Sequence, residues 1–198
     1  MKLLLFADVH GSLKALSKIQ EKAKKENPDL LICAGDLSNF ERGLDLLLSK
    51  LSKIGIPVLM IPGNHEGDAS LKKACGMFRN LVFIHNTTDE KGGVLFFGYG
   101  GGGFASTDKG FEKSVKKHKE KLRKAKSRVL VTHQPPYGNR LDKLSGAYCG
   151  NKSYTKFIKD FKPKLAVSGH LHENAGKKDK IGITRLINPG PEGVLVTI

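Results

Sequence analysis

Seven oxygen and nitrogen donors fall in five short clusters, each just after an apolar run: Asp8 and His10, Asp36, Asn64, His133, and His170 with His172. Imidazoles and carboxylates in one set suit borderline divalent ions such as Mn, Fe, Zn or Ni. Seven overfill a closed tetrahedral site and fit two ions better than one. Two ions about 3.5 to 4 Å apart need a ligand that touches both. A carboxylate does this, and Asp36, alone between the first and third clusters, is the candidate bridge. Only Asp8 and Asp36 bring negative charge against two dications, so the centre stays positive even with a bridging hydroxide. Such a centre draws in a phosphate ester oxygen, polarises it, and supplies a metal-activated hydroxide for in-line attack. His65, beside Asn64, is not needed to complete the ligand set. It is the candidate catalytic acid that protonates the leaving alkoxide.

These donors need a scaffold that brings distant segments together. Lys2-Leu3-Leu4-Leu5-Phe6-Ala7 and Leu30-Leu31-Ile32-Cys33-Ala34 read as buried strands, bounded by Gly, Asp or Pro. The pattern predicts strands near 2–7, 30–35, 57–62, 81–85, 93–99, 128–132, 164–168, 183–187 and 193–197. Helices fit near 12–26, 41–53, 68–77, 109–126 and 151–161, with Gly11 or Ser12 opening the first. Strand and helix alternate, the mark of an α/β fold. Every donor cluster then lies at a strand carboxyl end, where open α/β sheets place ligand sites. Three clusters fall in the first half of the chain and two in the second, which resembles a two-lobed arrangement with the donors at the seam, although the sequence shows no internal repeat and no linker.

Five blocks carry a resemblance: Asp8-Val9-His10, Gly35-Asp36, Gly63-Asn64-His65-Glu66, Thr132-His133 and Gly169-His170-Leu171-His172. In this order they resemble the signature blocks of the calcineurin-like metallophosphoesterase superfamily, and they span residues 8–172. Any one block is weak; five in order are strong. The resemblance implies a four-layer αββα sandwich of two mixed β-sheets flanked by helices. It implies one metal held by Asp8, His10, Asp36 and His172, and another by Asp36, Asn64, His133 and His170, with His65 assisting catalysis. Manganese is the ion favoured for activity.

The chain also departs from that pattern. Glu66 closes the third block where many relatives carry Asp, at a position that is not a ligand. The second block, Gly35-Asp36-Leu37-Ser38-Asn39-Phe40-Glu41-Arg42-Gly43, lacks the G-D-x-x-D-R-G arrangement of the phosphoprotein phosphatases. Arg42 is thereby displaced from that branch's phosphate-binding position, which disfavours protein phosphatase activity. The small phosphodiesterase branch often replaces the third-block histidine, whereas His65 is present.

Taken singly, Asp8 or Asp36 reads as a helix cap or Asx turn, and Asn64 as a turn residue. The five clusters together outweigh those readings. His85 lies outside every block and reads as a strand-end or surface histidine; His118, among lysines, reads as solvated. A chain of 198 residues with 39% hydrophobic composition and no Trp is expected to form one domain, residues 1–198. Asp8 interrupts the amino-terminal apolar stretch too early for a signal peptide. No run of about 18 apolar residues suggests a membrane span. Cys33, Cys75 and Cys149, without CxxC spacing, point to a reducing, cytoplasmic setting, with Cys33 in the core.

Two further segments invite a role. Gly98-Tyr99-Gly100-Gly101-Gly102-Gly103-Phe104 reads either as a pliable loop that approaches a phosphate, with Tyr99 or Phe104 as a stacking face, or as a plain turn. It lacks the Lys and Ser/Thr of a P-loop. The net charge is +15, and residues 109–128 form a dense basic run that predicts an amphipathic helix with Phe111, Val115, Leu122 and Ala125 inward. Such a run is most often a solvated face, yet it can also track a nucleic-acid backbone. The leading expectation is hydrolysis of small phosphate esters, diesters favoured. A nuclease using the same site, with helix 109–128 docking nucleic acid, is the alternative, and a non-catalytic scaffold ranks third. No C-x5-R loop or G-x-S-x-G elbow supports a cysteine phosphatase or serine hydrolase.

Overall fold

The computed structural model describes all 198 residues. Along β1 (Lys2–Phe6), β2 (Leu30–Cys33) and β3 (Val58–Met60) apolar side chains occupy both faces of the strand, as they do when a sheet is covered on both sides. These strands pair in parallel, β4 (Leu81–Phe83) joins beyond β3, and β13 (Val194–Thr197) adds antiparallel to β1. On one face Leu4, Phe6, Leu31, Cys33, Val58 and Met60 pack under helices α1 (Leu13–Glu26), α2 (Leu44–Ser52) and α3 (Asp68–Cys75). On the other, Leu3, Leu5, Leu30, Ile32, Leu59 and Ile61 meet a second sheet.

That second sheet runs in the order β11 (Lys178–Ile181), β12 (Thr184–Ile187), β10 (Leu165–Val167), β7 (Arg128–Thr132), β6 (Val94–Tyr99) and β5 (Thr87–Lys91). Its central pairings are parallel and both edge pairings antiparallel. Val129, Val131, Leu165 and Val167 face the first sheet. Leu130 and Ala166, between them in sequence, face helices α4 (Lys109–Lys124) and α5 (Lys152–Phe161) through Phe111, Leu122, Phe157 and Ile158. Helix, sheet, sheet, helix: the chain builds the expected αββα sandwich. A short hairpin, β8 (Lys143–Leu144) with β9 (Ala147–Tyr148), stands outside both sheets.

Some boundaries differ from the sequence expectation. Helix α1 starts where Ser12 caps it, the Ser12 hydroxyl accepting from the Ala15 amide at 3.2 Å. Helix α2 begins at Leu44 rather than 41 because Phe40, Glu41 and Gly43 all take left-handed backbone angles, which an α-helix does not admit. Strands β3 and β4 are shorter than predicted. Strands β5 and β11 are absent from the sequence expectation: both are edges, and their Asp89, Glu90, Lys178, Asp179 and Lys180 hide the apolar alternation that marks a strand. His118 is half-buried rather than solvated, its ring 5.8 Å from Phe97. No helix is long and apolar enough to cross a membrane.

Candidate metal centre

Each predicted donor lies just past a strand's carboxyl end. Asp8 and His10 follow β1, Asp36 follows β2, and Asn64 with His65 follows β3. His133 follows β7, His170 follows β10, and His172 opens a single 3-10 turn to Asn174. The first three loops belong to one sheet and the last two to the other, so stacking the sheets closes the distance between residues 162 positions apart in the chain.

All seven donors converge, and His65 joins them. His10 Nε2 is 3.0 Å from His172 Nε2, and His172 Nε2 is 3.9 Å from Asp8 Oδ1. On the other side, His133 Nε2 and His170 Nδ1 each stand 3.0 Å from Asn64 Oδ1. Asp36 lies between the two groups: its Oδ2 is 3.6 Å from His10 Nε2 and 3.3 Å from His133 Nε2. Its Oδ1 is occupied, accepting from the His65 amide at 2.9 Å. His65 Nε2 is 3.9 Å from Asp36 Oδ2, and its Nδ1 is 3.2 Å from Asn39 Oδ1.

The backbone reaches this geometry by breaking ordinary preferences. Asp8, His10, Asp36 and His170 all have positive φ, between 46° and 70°. Such angles cost of order 1 kcal/mol or more per residue and persist only where the surroundings enforce them. Glu66 is one enforcer. Its buried carboxylate accepts from the Asp36 amide (3.0 Å), the Gly63 amide (3.0 Å), the Ser38 amide (2.7 Å) and the Ser38 hydroxyl (2.7 Å), fastening the second loop to the third. Asp8 holds the fifth loop to the first, since its carboxylate accepts from the His170 amide at 3.0 Å. Buried Asn188, in the Asn-Pro-Gly turn before β13, donates to the Leu171 carbonyl at 3.1 Å. Glycine is required where these loops touch. A Cβ at Gly63 would sit 1.9 Å from Asp36 Oδ1, and one at Gly169 would sit 2.7 Å from Asp8 Oδ2.

Burial and mutual contact set the charge of the cluster. Burial pushes the Asp8 carboxyl up, against the opposing pull of His133. Burial pulls the His10 imidazole down, and takes His170 down to about 4 with the His133 charge adding to it. Burial works on Asp36 and His133 too, but their mutual contact wins: the Asp36 carboxyl ends below its usual range and the His133 imidazole above its own. The pair attracts positive charge to its middle. The donor chemistry fits a cation. His133 Nδ1 is 2.9 Å from the Ala34 carbonyl, a contact that needs an N–H. In its neutral form, with the proton on Nδ1, the ring aims its Nε2 lone pair at two other acceptors, Asn64 Oδ1 and Asp36 Oδ2. Convergent lone pairs of this kind, with the far nitrogen held by a carbonyl, are the usual preparation of a metal-binding histidine. His170 Nε2 is buried with no partner at all. Three overlapping sets, Asp8/His10/His172, His10/Asp36/His65 and Asp8/Asp36/His133, have ligand atoms close enough to share an ion.

A family model described as calcineurin-like phosphoesterase matches residues 1–174. The chain belongs to that family. Members typically hold a dinuclear metal centre. Among curated relatives, an uncharacterized protein of Methanocaldococcus jannaschii is 28% identical over 207 residues, covering 99% of this chain and 91% of that one. The DNA double-strand break repair protein Mre11 of Nanoarchaeum equitans is 29% identical over 97 residues, 46% of this chain and 27% of its own. Among solved structures, the protein TT1561 of Thermus thermophilus superposes with a TM-score of 0.80 at 20% identity, covering 96% of this chain and 90% of that chain. That last likeness concerns the fold.

Within this phosphoesterase fold, several residues around the cluster are not marked by their sequence context. Glu66 is no ligand in the family pattern, and nothing in the sequence shows that its carboxylate is buried. Asn39, which fixes His65, carries no motif. Phe40 packs its ring 4.1 Å from His65, and Phe104, at the end of the glycine run, packs 4.9 Å from His170. His85, expected at a strand end or on the surface, is largely covered and accepts from the Gly100 amide at 2.8 Å, so it anchors the glycine loop. The signal for His85 lies in its spacing from that loop's pairing strand, but is readable only with the sheet register in hand.

Proposed function

We propose that this phosphoesterase uses two divalent ions, manganese favoured, to hydrolyse phosphate esters and acts preferentially on phosphodiesters. Asp8, His10, Asp36 and His172 hold one ion; Asp36, Asn64, His133 and His170 hold the other. The observation that carries the reading is Asp36 Oδ2, which lies 3.6 and 3.3 Å from a histidine nitrogen of each group. Bound there, the ions supply Lewis acidity to the ester and a water acidic enough to attack at neutral pH.

The chain's own residues do the rest. Asp8 and Asp36 are the only carboxylates in the donor set, so the protein leaves the centre positive and retains an anion. Asn39 holds His65 Nδ1, which leaves Nε2 facing the cluster to deliver a proton to the departing alkoxide. In every ion pair at the cluster the cation is a histidine. No guanidinium fork, the usual grip on a dianionic phosphate, contacts it, which favours the monoanionic diester. The sandwich acts as one domain over residues 1–198, supported by β13 pairing with β1. Free cysteines, Cys33 and Cys75 buried among them, support a reducing, cytoplasmic setting.

A second reading keeps a specific observation. A cleft of about 850 Å³ between α4 and the β5–β6 edge is lined by five lysines, among them Lys117 and Lys121, against two glutamates, Glu90 and Glu120; the surplus of positive charge suits a nucleic-acid backbone, and the Mre11 relative is a DNA repair protein. The cleft is remote from the centre: it borders Leu95, which pairs with Arg128, whereas the site lies past Tyr99 and Thr132 at the other end of those strands. Hydrolysis of a chromogenic diester, a chromogenic monoester and single-stranded DNA, each with Mn, Zn, Fe or Ni and after chelation, tests both. Metal-dependent turnover led by the diester is expected. Metal-independent or absent turnover on all three overturns the proposal, and DNA as the best substrate selects the nuclease.

A further inference from the structure

Two large apolar side chains stand in solvent at the edges of the donor cluster. Phe40 is 68% exposed and Phe104 is 63% exposed, yet each rests against one of its histidines. They occupy different flanks. Phe40 lies on His65, whose ring is 4.7 Å from His10; Phe104 lies on His170, whose ring is 5.1 Å from His133. The histidine array therefore ends in an open phenyl face on either side.

Phe40 is not there by local preference. Phe40 has φ 51° and its neighbour Glu41 φ 60°, a conformation that Gly, Asn or Asp adopts readily and a bulky residue does not. The turn is braced nonetheless. The Glu41 carboxylate accepts from the Gly67 amide at 2.8 Å and from the Ser70 hydroxyl, and the Glu41 amide donates to Ser38 Oγ at 3.2 Å. Phe104 is braced from both ends of its loop. Upstream, the Gly100 amide donates to His85 Nδ1 and the Gly101 amide to the Pro62 carbonyl, both at 2.8 Å. Downstream, the Ala105 carbonyl accepts from Gln134 Nε2 and Asn151 Nδ2, both at 3.1 Å. Pro62 and Gln134 immediately flank the third and fourth donor loops. Two exposed phenyl groups are thus tied to the donor loops by hydrogen bonds. A sequence that breaks hydration and backbone preference at one residue usually does so for an occupant.

We infer that Phe40 and Phe104 form a rim that stacks on a flat aromatic group carried by the phosphate ester, and that the substrate class is a nucleoside phosphate diester. Every base has a π-face, so phenyl rings hold bases without reading their sequence. This inference rests on the phosphodiesterase reading of the same site and deepens it. An aliphatic ester, such as a glycerol or simple sugar phosphate, has nothing to offer the rings.

The chain contains no Trp, which gives a direct test. In Phe40→Trp and Phe104→Trp, the single indole of each variant, excited beyond tyrosine absorption, is titrated with adenosine 5′-monophosphate and with ribose 5-phosphate in the presence of Mn. The nucleotide is expected to quench each indole saturably and the sugar phosphate is not. In parallel, calorimetry on the wild-type chain should find the nucleotide bound about 5- to 150-fold tighter than the sugar phosphate, the range of one base stack. That ratio should fall toward one in the double variant Phe40→Leu/Phe104→Leu. Equal binding of the two ligands by the wild type, or a ratio that survives in the double leucine variant, overturns the inference. A double leucine variant that loses Mn affinity but keeps the ratio also overturns it, because the rings then only shelter the histidines. A preserved base preference with no hydrolysis of any diester leaves the rim standing and removes the catalytic reading instead.

Discussion

Helix α4 and the five strand-end loops handle charge in opposite ways. Helix α4 follows the common rules of capping, terminal charge and amphipathicity. Asp108 caps it by accepting from the Phe111 amide at 2.8 Å, Lys121, Arg123 and Lys124 sit at its carboxyl end, and Phe111 and Leu122 face the core. Its lysines are solvated and cost the fold nothing. The loops break those rules in concert: charged Asp8 and Asp36 are buried, non-glycine residues take positive φ, and histidine nitrogens face one another at 3.0 Å. One region has charge because water tolerates it, the other in spite of the cost of removing it from water. Local satisfaction marks structure, and concerted local violation marks a site.

Two substitutions test that contrast where its effects are largest. Asp36→Asn removes a carboxylate oxygen that both halves of the cluster approach, and should reduce Mn-dependent hydrolysis to background while the circular dichroism spectrum and melting transition persist. Bound Mn, counted by elemental analysis, should fall below two ions per chain. Near-normal turnover would remove the shared-ligand assignment. Glu66→Ala strands the Asp36, Gly63 and Ser38 amides and the Ser38 hydroxyl in the interior. At about 1–3 kcal/mol for each unsatisfied group, partly relieved by entering water, the unfolding free energy should drop by about 3–5 kcal/mol. Denaturant melts read this directly. Loss of activity with unchanged stability would mean that Glu66 acts on substrate rather than on the loops.

The same contrast explains what can be read from the chain. Strands β1, β2, β7 and β10 and all seven donors are legible because burial on both faces leaves unbroken apolar runs, and donors placed directly after such runs have only one sheet edge to occupy. Edge strands β5 and β11 are not, because one side of an edge faces water and carries charge. The start of α2 is hidden for another reason: nothing in Asn39-Phe40-Glu41-Arg42 signals a left-handed turn, since the hydrogen bonds that force it come from Ser38 and from the third loop. Glu66 is visible as a letter and invisible as a strap. Sequence places the candidate donors at one sheet edge; the fastening between loops is a property of their convergence.

His65 separates ligand from acid within the cluster. His65→Ala should slow hydrolysis of a diester with a poor leaving group by roughly 10²-fold or more, the usual range for a lost general acid, with metal content unchanged. An activated aryl ester, whose leaving group departs without a proton, should be slowed much less. If metal content falls and both esters slow alike, His65 belongs with His10 and Asp36 as a ligand, a grouping its geometry permits.

The smallest effect is expected where the local rules are kept. Changing Lys116, Lys117, Lys121 and Lys124 together to Gln removes four exposed charges from α4 and touches neither the cap nor the inward face. Because Gln and Lys have similar helix propensity and exposed charges contribute little, stability should move by no more than about 0.5 kcal/mol. Hydrolysis of a small diester should not change, since the donor loops lie past the opposite ends of β6 and β7. A single-stranded DNA substrate discriminates further. If its hydrolysis falls with the four lysines and loses its salt dependence, a polymer must engage both regions at once. The helix spans 16 residues, about 24 Å, or roughly seven base pairs of duplex rise. An oligonucleotide series crossing that length should then show a step in binding that short substrates lack, and a flat series would confine the helix to its structural role.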